Sequence, residues 1–182
     1  ALLDAASRAL GISFPEWLGA PARKKIFATA VVTDLSPSKL SALLWAIRLA
    51  GFKAVKVKVG TPRDEETLGL VRKILGPDIP LLVDANGAWQ AQEAVDILLG
   101  WKKFNVAVVE QPVAAKDFCG MRRVREATGL DVMADESLRS PQDAENLIHA
   151  GACSIFNIRL SKCGGLISSW RIYKLARAAG IR

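Results

Sequence analysis

The chain has 182 residues, 51% of them hydrophobic and 24% charged, with a formal net charge of +7. That length can bury a sizeable core, and that apolar fraction excludes intrinsic disorder. The basic residues are dispersed as RKK, RK, KK and RR runs between acidic ones, without the aromatic interleaving of a nucleic-acid surface, so the charge reads as a solvated helical exterior.

Along the chain, short runs rich in β-branched residues recur: "FATAVVT" (27–33), "AVKVKV" (54–59), "PLLVDA" (80–85), "VAVVEQ" (106–111), "DVMADE" (131–136) and "SIFNIRLS" (154–161). Each has strand length and strand composition. Helical patterns lie between them, three starting on Ser36-Pro37, Thr61-Pro62 and Ser140-Pro141. A hydroxyl at the helix cap followed by proline uses the missing proline N–H where it costs least. Strand, helix and strand at this spacing require parallel pairing, because a crossover helix returns the chain to the same end of the sheet.

The chemically loaded residues fall at the carboxyl ends of these strands. Lys58, Asp84, Glu110, Asp135 and Lys162 are separated by 26, 26, 25 and 27 positions, and Thr33 fits as the first strand's equivalent. A doubly wound sheet would gather its ligand at one switch point, often beside a glycine-rich loop, and "VVTDLSPS" has no such loop. Successive strands all contributing to one ring describe a parallel (β/α) barrel of the TIM type. Six strands are visible, with the chain stopping where a seventh would begin, so the expected fold is a barrel truncated to about six strands. A longer natural protein is expected, since an open sheet leaves two unpaired edges.

Asp84, Glu110 and Asp135 put three hard oxygen donors on adjacent strand ends, a set that suits one Mg²⁺ with positions left for water and substrate. Any one of them alone would read as a helix cap or salt-bridge partner; three in register, flanked by lysines, read as a site. Lys58 precedes the triad and Lys162 follows it, so curvature should set their ammonium groups facing each other. Two such bases can take a proton from one face of a carbon and return it to the other.

The motifs "KVKVG", "VDANGAW", "VEQPV", "ADES" and "NIRLSKCGG", in that order, resemble the enolase superfamily, among its mandelate racemase/muconate-lactonizing enzymes and there the muconate-lactonizing subgroup. The resemblance implies that Lys58 and Lys162 are acid/base catalysts and that Asp84, Glu110 and Asp135 bind Mg²⁺. It further implies that Lys56 touches the substrate carboxylate and helps depress the pKa of Lys58. Asn86, Glu136 and Ser137 would support these residues without taking part directly. The segment "ALLDAASRALGISFPEWLGA" resembles the helix that family members carry before the barrel, so residues 1–24 are expected to lead into a partial barrel at 25–182. The amino-terminal capping domain and the last two barrel strands of the family have no counterpart in these residues.

The implied reaction is abstraction of the proton α to a carboxylate through an enediolate, in an isomerase of the racemase or epimerase kind. "NIRLSKCGG" looks closest to the dipeptide-epimerase form, as for L-Ala-D/L-Glu. Muconate cycloisomerase, o-succinylbenzoate synthase and N-acylamino acid racemase share the core and stand close behind. A different class of function, a catalytically inactive barrel piece persisting as an oligomer, is the alternative, and a nucleic-acid role comes last. The expected partner is a small carboxylate substrate, with self-association as a homo-oligomer and neither nucleic acid nor membrane.

Other residues are set aside. His149, the only histidine, falls on a helix away from the ring. Cys163 lacks a histidine partner and reads as packing. Gly164 and Gly165 open the last helix but make a weak phosphate signal. The five tryptophans read as mainly core. Cys119, Cys153 and Cys163 form no C-x-x-C pair, and with no membrane-length apolar run and no signal-peptide pattern the expectation is a soluble, cytoplasmic protein.

Overall fold

The computed structural model describes residues 2–19 and 25–182. Residues 1 and 20–24, part of the expected lead-in segment, lie outside the described residues. Two short helices, α1 (Leu2–Ala9) and α2 (Phe14–Leu18), precede the sheet. The strands are β1 (Ala30–Val32), β2 (Val55–Lys58), β3 (Leu81–Asp84), β4 (Val108–Glu110), β5 (Asp131–Ala134) and β6 (Ile155–Phe156). All pair in parallel in the order β1-β2-β3-β4-β5-β6.

Between consecutive strands run α3 (Pro37–Leu49), α4 (Asp64–Leu75), α5 (Ala91–Gly100), α6 (Phe118–Thr128) and α7 (Pro141–Ala150), with α8 (Gly165–Ala178) after β6. A short 3₁₀ turn, Trp101–Phe104, extends α5. Sequential strand order has no reversal point, which separates this winding from a doubly wound sheet and matches a barrel wall.

Alternation along the strands decides the packing. Val55 and Val57 are fully buried toward the helices, as are Leu81, Val83, Val109 and Val132. They meet the apolar faces of the helices, including Leu40 and Leu44 of α3, Leu68 and Val71 of α4, and Leu147 of α7. The residues between them in each strand, Lys56, Leu82, Val108 and Met133, point to the other face and are only half-buried.

Several expectations need correction. Ser140 caps α7 as foreseen, its Oγ accepting from the Asp143 N–H at 3.1 Å. Ser36 occupies the cap of α3, but its hydroxyl makes no cap bond. Thr61-Pro62 does not open α4 at all; the helix starts at Asp64. The Asp64 carboxylate reaches back to accept from the Gly60 N–H at 2.7 Å and the Thr61 hydroxyl at 2.8 Å, so the acid organises the turn. Trp89 and Trp101 are core and pack edge to face with centroids 5.8 Å apart. Trp17 and Trp45 are exposed, because α3 turns Trp45 outward, where the Arg48 guanidinium lies 5.5 Å from its ring.

The expected last strand, residues 154–161, shrinks to Ile155–Phe156. Beyond it the Arg182 N–H donates to the Ser154 carbonyl at 3.1 Å and its carbonyl accepts from the Phe156 N–H at 2.9 Å. That pair of bonds is one rung of a parallel ladder on the outer side of β6.

The amino-terminal ends of the strands are tied by one cation. Arg72, on α4, donates to the carbonyls of Phe104 (2.6 Å), Asn105 (2.8 Å), Ile79 (2.8 Å) and Gly76 (3.0 Å), joining the segments that lead into β3 and β4. Arg72→Met keeps the apolar stem and strands four carbonyls. It is expected to cost roughly 2–3 kcal/mol and to lower the melting temperature by about 4–10 °C. An unchanged melting curve would show that water replaces the clamp without loss.

Candidate active site

The carboxyl ends of the strands gather the charged residues of the sheet interior. Lys58, Asp84 and Glu110 are direct register partners across β2, β3 and β4. Glu110 pairs with Met133, so Asp135 stands two residues further on, just past the end of β5. Lys162 lies on no strand end; it sits in the turn that precedes α8. The even spacing along the chain therefore corresponds to a true row for three residues and to a stagger for the other two.

Asp84, Glu110 and Asp135 are 2%, 1% and 3% exposed. Buried carboxylates need compensation, and each has it. Lys56 Nζ lies 2.8 Å from Asp84 Oδ2 and 2.9 Å from Glu110 Oε2, bridging the two. Burial works against this ammonium, but the hydrogen bonds and charges of Asp84 and Glu110 outweigh it and hold its pKa above the usual lysine value. Asp135 is flanked by Lys162, which bonds its Oδ1 and backbone carbonyl, and by Arg159, whose Nη2 is 2.6 Å from Oδ2. Lys58 is half-exposed, 4.0 Å from Asp84 Oδ2, and donates to Asn86 Oδ1 at 2.8 Å.

A layer of neutral groups fixes these carboxylates. Asn157 donates from Nδ2 to Glu110 Oε1 at 2.9 Å. The Asn86 N–H donates to Asp84 Oδ1 at 3.1 Å, and Asn86 Nδ2 to Glu136 Oε1 at 3.0 Å. Gln111, fully buried with a φ of 40°, uses its whole amide. Its Oε1 accepts from the Asp135 and Ser137 N–H groups, both at 3.1 Å, and its Nε2 donates to the Val113 carbonyl at 2.9 Å and to Ser137 Oγ at 2.8 Å. Ser137 in turn donates to the Ala115 carbonyl at 2.7 Å.

All nine candidate residues thus fall on one end of the sheet. Asn86 and Glu136 interact with each other, while Ser137 answers to Gln111. Three participants escaped the sequence reading: Gln111, Asn157 and Arg159. The signal for two was present, since Asn157 and Arg159 alternate with Ile158 at strand spacing. His149 is exposed on α7, and Cys163 is buried with its Sγ 3.5 Å from the Leu138 carbonyl, so neither enters the site. Burial pushes the Cys153 thiol up to about 12, which leaves it protonated and unreactive at neutral pH.

Among the described residues no three acidic, histidine or cysteine side chains converge as a ready-made metal cage. The donor chemistry nevertheless fits a hard divalent ion. Asp84 and Glu110 already share one positive charge, the Lys56 ammonium, at hydrogen-bond distance from both. Lysines on two sides of a buried anionic row make an arrangement that could serve proton transfer at a carbon acid.

Parallel strands in sequential order, with a polyionic site at their carboxyl ends, define a barrel-type α/β domain of the enzyme kind. Residues 40–182 match the enolase C-terminal domain-like family, and the chain belongs to that family, within the enolase superfamily. A dipeptide epimerase from Cytophaga hutchinsonii, whose structure is complexed with Mg and the dipeptide D-Ala-L-Val, is 34% identical and superposes with a TM-score of 0.91 over 98% of this chain and 49% of its own. The substrate-liganded L-Ala-D/L-Glu epimerase from Bacillus subtilis is 30% identical, with a TM-score of 0.92 over 99% of this chain and 51% of its own. An o-succinylbenzoate synthase from Geobacillus stearothermophilus is 31% identical over 99% of this chain and 48% of its own. The chain spans about half the length of the curated relatives it matches. Among the described residues, no helix is long and apolar enough to cross a membrane.

Proposed function

We propose that this chain carries the proton-transfer site of a Mg²⁺-dependent epimerase acting α to a carboxylate, with a small dipeptide as substrate. The observation that supports it most is the placement of Lys58 and Lys162 on either side of three buried carboxylates, in a chain about a third identical to dipeptide epimerases. Asp84, Glu110 and Asp135 would hold the ion. When bound, Mg²⁺ supplies positive charge beside the substrate carboxylate as negative charge develops there.

The remaining work falls to side chains. One lysine, as the neutral amine, takes the α-proton and becomes an ammonium, and the substrate becomes an enediolate. The other, entering as an ammonium, returns a proton to the opposite face and leaves as the amine. Lys56 holds Asp84 and Glu110 in place, and Gln111 fixes the backbone on both sides of Asp135. Residues 25–182 would form the barrel part and residues 1–24 lead into it. A cytoplasmic setting with three free cysteines, and self-association, belong to the same reading. The o-succinylbenzoate synthase and cycloisomerase reactions would use the same core.

A second reading, a catalytically inert barrel domain, is favoured by one observation: the carboxylates face internal cations rather than converging on a common point. The two are separated by adding Mg²⁺ and following both melting temperature and deuterium uptake at the α-carbon of acidic and hydrophobic dipeptides in D₂O. An active site predicts stabilisation of about 2.7 kcal/mol at a hundredfold excess over Kd, together with exchange. Stabilisation without exchange favours the inert domain. Absence of both overturns the metal site.

A further inference from the structure

The site contains one half-buried acid, Glu136, whose supporting role has so far been given no mechanism. Glu136 accepts from Asn86 Nδ2 through Oε1, and its Oε2 is buried without a hydrogen-bond partner among the described residues. A buried carboxylate oxygen left unpaired is costly, so the single bond that Glu136 does make needs a reason.

That bond settles which way the Asn86 amide points. The Asn86 side chain stands between a carboxylate and an ammonium, and an amide has one accepting and one donating end. With Nδ2 toward Glu136 Oε1, at 3.0 Å, Oδ1 must face Lys58 Nζ, at 2.8 Å. The flipped amide would set donor against donor at Lys58 and acceptor against acceptor at Glu136. Asn86 is itself pinned by its N–H on Asp84 Oδ1 at 3.1 Å and by a backbone φ of 48°, a conformation asparagine tolerates. The Lys58 ammonium, half-exposed and with its nearest carboxylate oxygen 4.0 Å away, has no other hydrogen bond among the described residues.

We propose that Glu136 is a positioning residue for Lys58, acting through Asn86: it locks the amide, and the amide aims the lysine. The catalytic half of this inference rests on the proposed α-proton transfer, whereas its structural half does not. Asn86 and Glu136 thereby serve the base on β2, and only one side of the two-base pair is held by such a relay. Lys162 is held by Asp135 directly.

The test uses the 182-residue chain and two readouts. In the metal-free protein the Lys58 ammonium is followed by its ¹H–¹⁵N cross-peak, assigned by its disappearance in Lys58→Met. The cross-peak is expected in the wild type, retained in Glu136→Gln, whose amide oxygen still accepts from Asn86, and lost in Glu136→Leu and Asn86→Gly. Glycine suits the positive φ at this position, so Asn86→Gly tests the amide's hold on Lys58, and Glu136→Ala takes the place of Glu136→Leu where leucine does not fold. In D₂O with Mg²⁺ and each epimer of an exchanging dipeptide, Glu136→Leu is expected to lose about 10²-fold in exchange from the epimer that Lys58→Ala also loses, leaving the other epimer unchanged.

Survival of the cross-peak in either folded variant, Glu136→Leu or Asn86→Gly, overturns the relay, as does its absence from the wild type. Equal loss for both epimers also overturns it, because a merely structural defect would not choose a face. A wild-type chain that exchanges neither epimer sinks the epimerase reading instead, and the cross-peak still decides the relay.

Discussion

Lys162→Ala is expected to silence exchange of the α-proton from one epimer of a dipeptide substrate, and Lys58→Ala from the other, each by roughly 10²–10⁴-fold. Under the proposed mechanism, two bases on opposite faces of one carbon would make the losses complementary: removing either leaves the partner able to abstract from its own side while epimerisation stops. Stability should barely move in Lys58→Ala, because Lys58 is half-exposed and its truncation strands no buried charge. Lys162→Ala should also lower stability, since Asp135 Oδ1 and the Asp135 carbonyl lose their donor, although Arg159 stays 2.6 Å from Oδ2. The measurement is deuterium uptake from each pure epimer, read beside a melting curve. Retained exchange from both epimers in both variants would exclude a two-lysine mechanism.

Lys56→Met has the opposite profile, with its effect on the fold. Methionine preserves the apolar stem, but Asp84 and Glu110, 2% and 1% exposed, lose the cation between them. Breaking a buried pair by removing one partner typically costs about 3–5 kcal/mol, which is a large share of a domain's stability. The pH dependence carries a sign. In the wild type the folded pKa of Lys56 lies above its unfolded value, since the two carboxylates outweigh the burial that opposes the charge. Its contribution is therefore complete below the ordinary lysine range and fades as pH rises through the folded value. Urea unfolding in metal-free buffer, from neutral to alkaline pH, checks this slope. A variant as stable as the wild type at neutral pH would mean that Lys56 contributes nothing net.

The strand pattern was readable because a buried parallel sheet imposes it locally. "AVKVKV" alternates valine with lysine, and Val55 and Val57 are buried where Lys56 and Lys58 are not. The six strands and their parallel order follow from that periodicity and from spacing. The helix caps were less readable. Thr61-Pro62 carries the right residues, yet the acid three positions on outcompetes the hydroxyl for the turn's N–H groups. Lys162 was placed by chain spacing at a strand end, but β6 leaves the ladder after Phe156, and the lysine arrives from a turn. Gln111 was missed for a physical reason as well. The N–H groups its oxygen accepts from, those of Asp135 and Ser137, belong to the next repeat, and no local pattern marks a side chain whose accepting bonds are made across strands.

Two amide-to-carboxylate hydrogen bonds in the site skip a strand. Asn86, after β3, reaches Glu136, after β5, and Asn157, after β6, reaches Glu110 on β4. In a flat sheet, strands two apart are separated by about 9.5 Å, too far for a short amide and a carboxylate to meet unless the wall bends toward them. These bonds therefore exist only at a particular curvature, and they sit on its concave side like the chord of an arc. The same atoms that arrange the chemistry gauge how tightly the wall is rolled, so exchanging a side chain there alters the shape of the chamber as well as its charge.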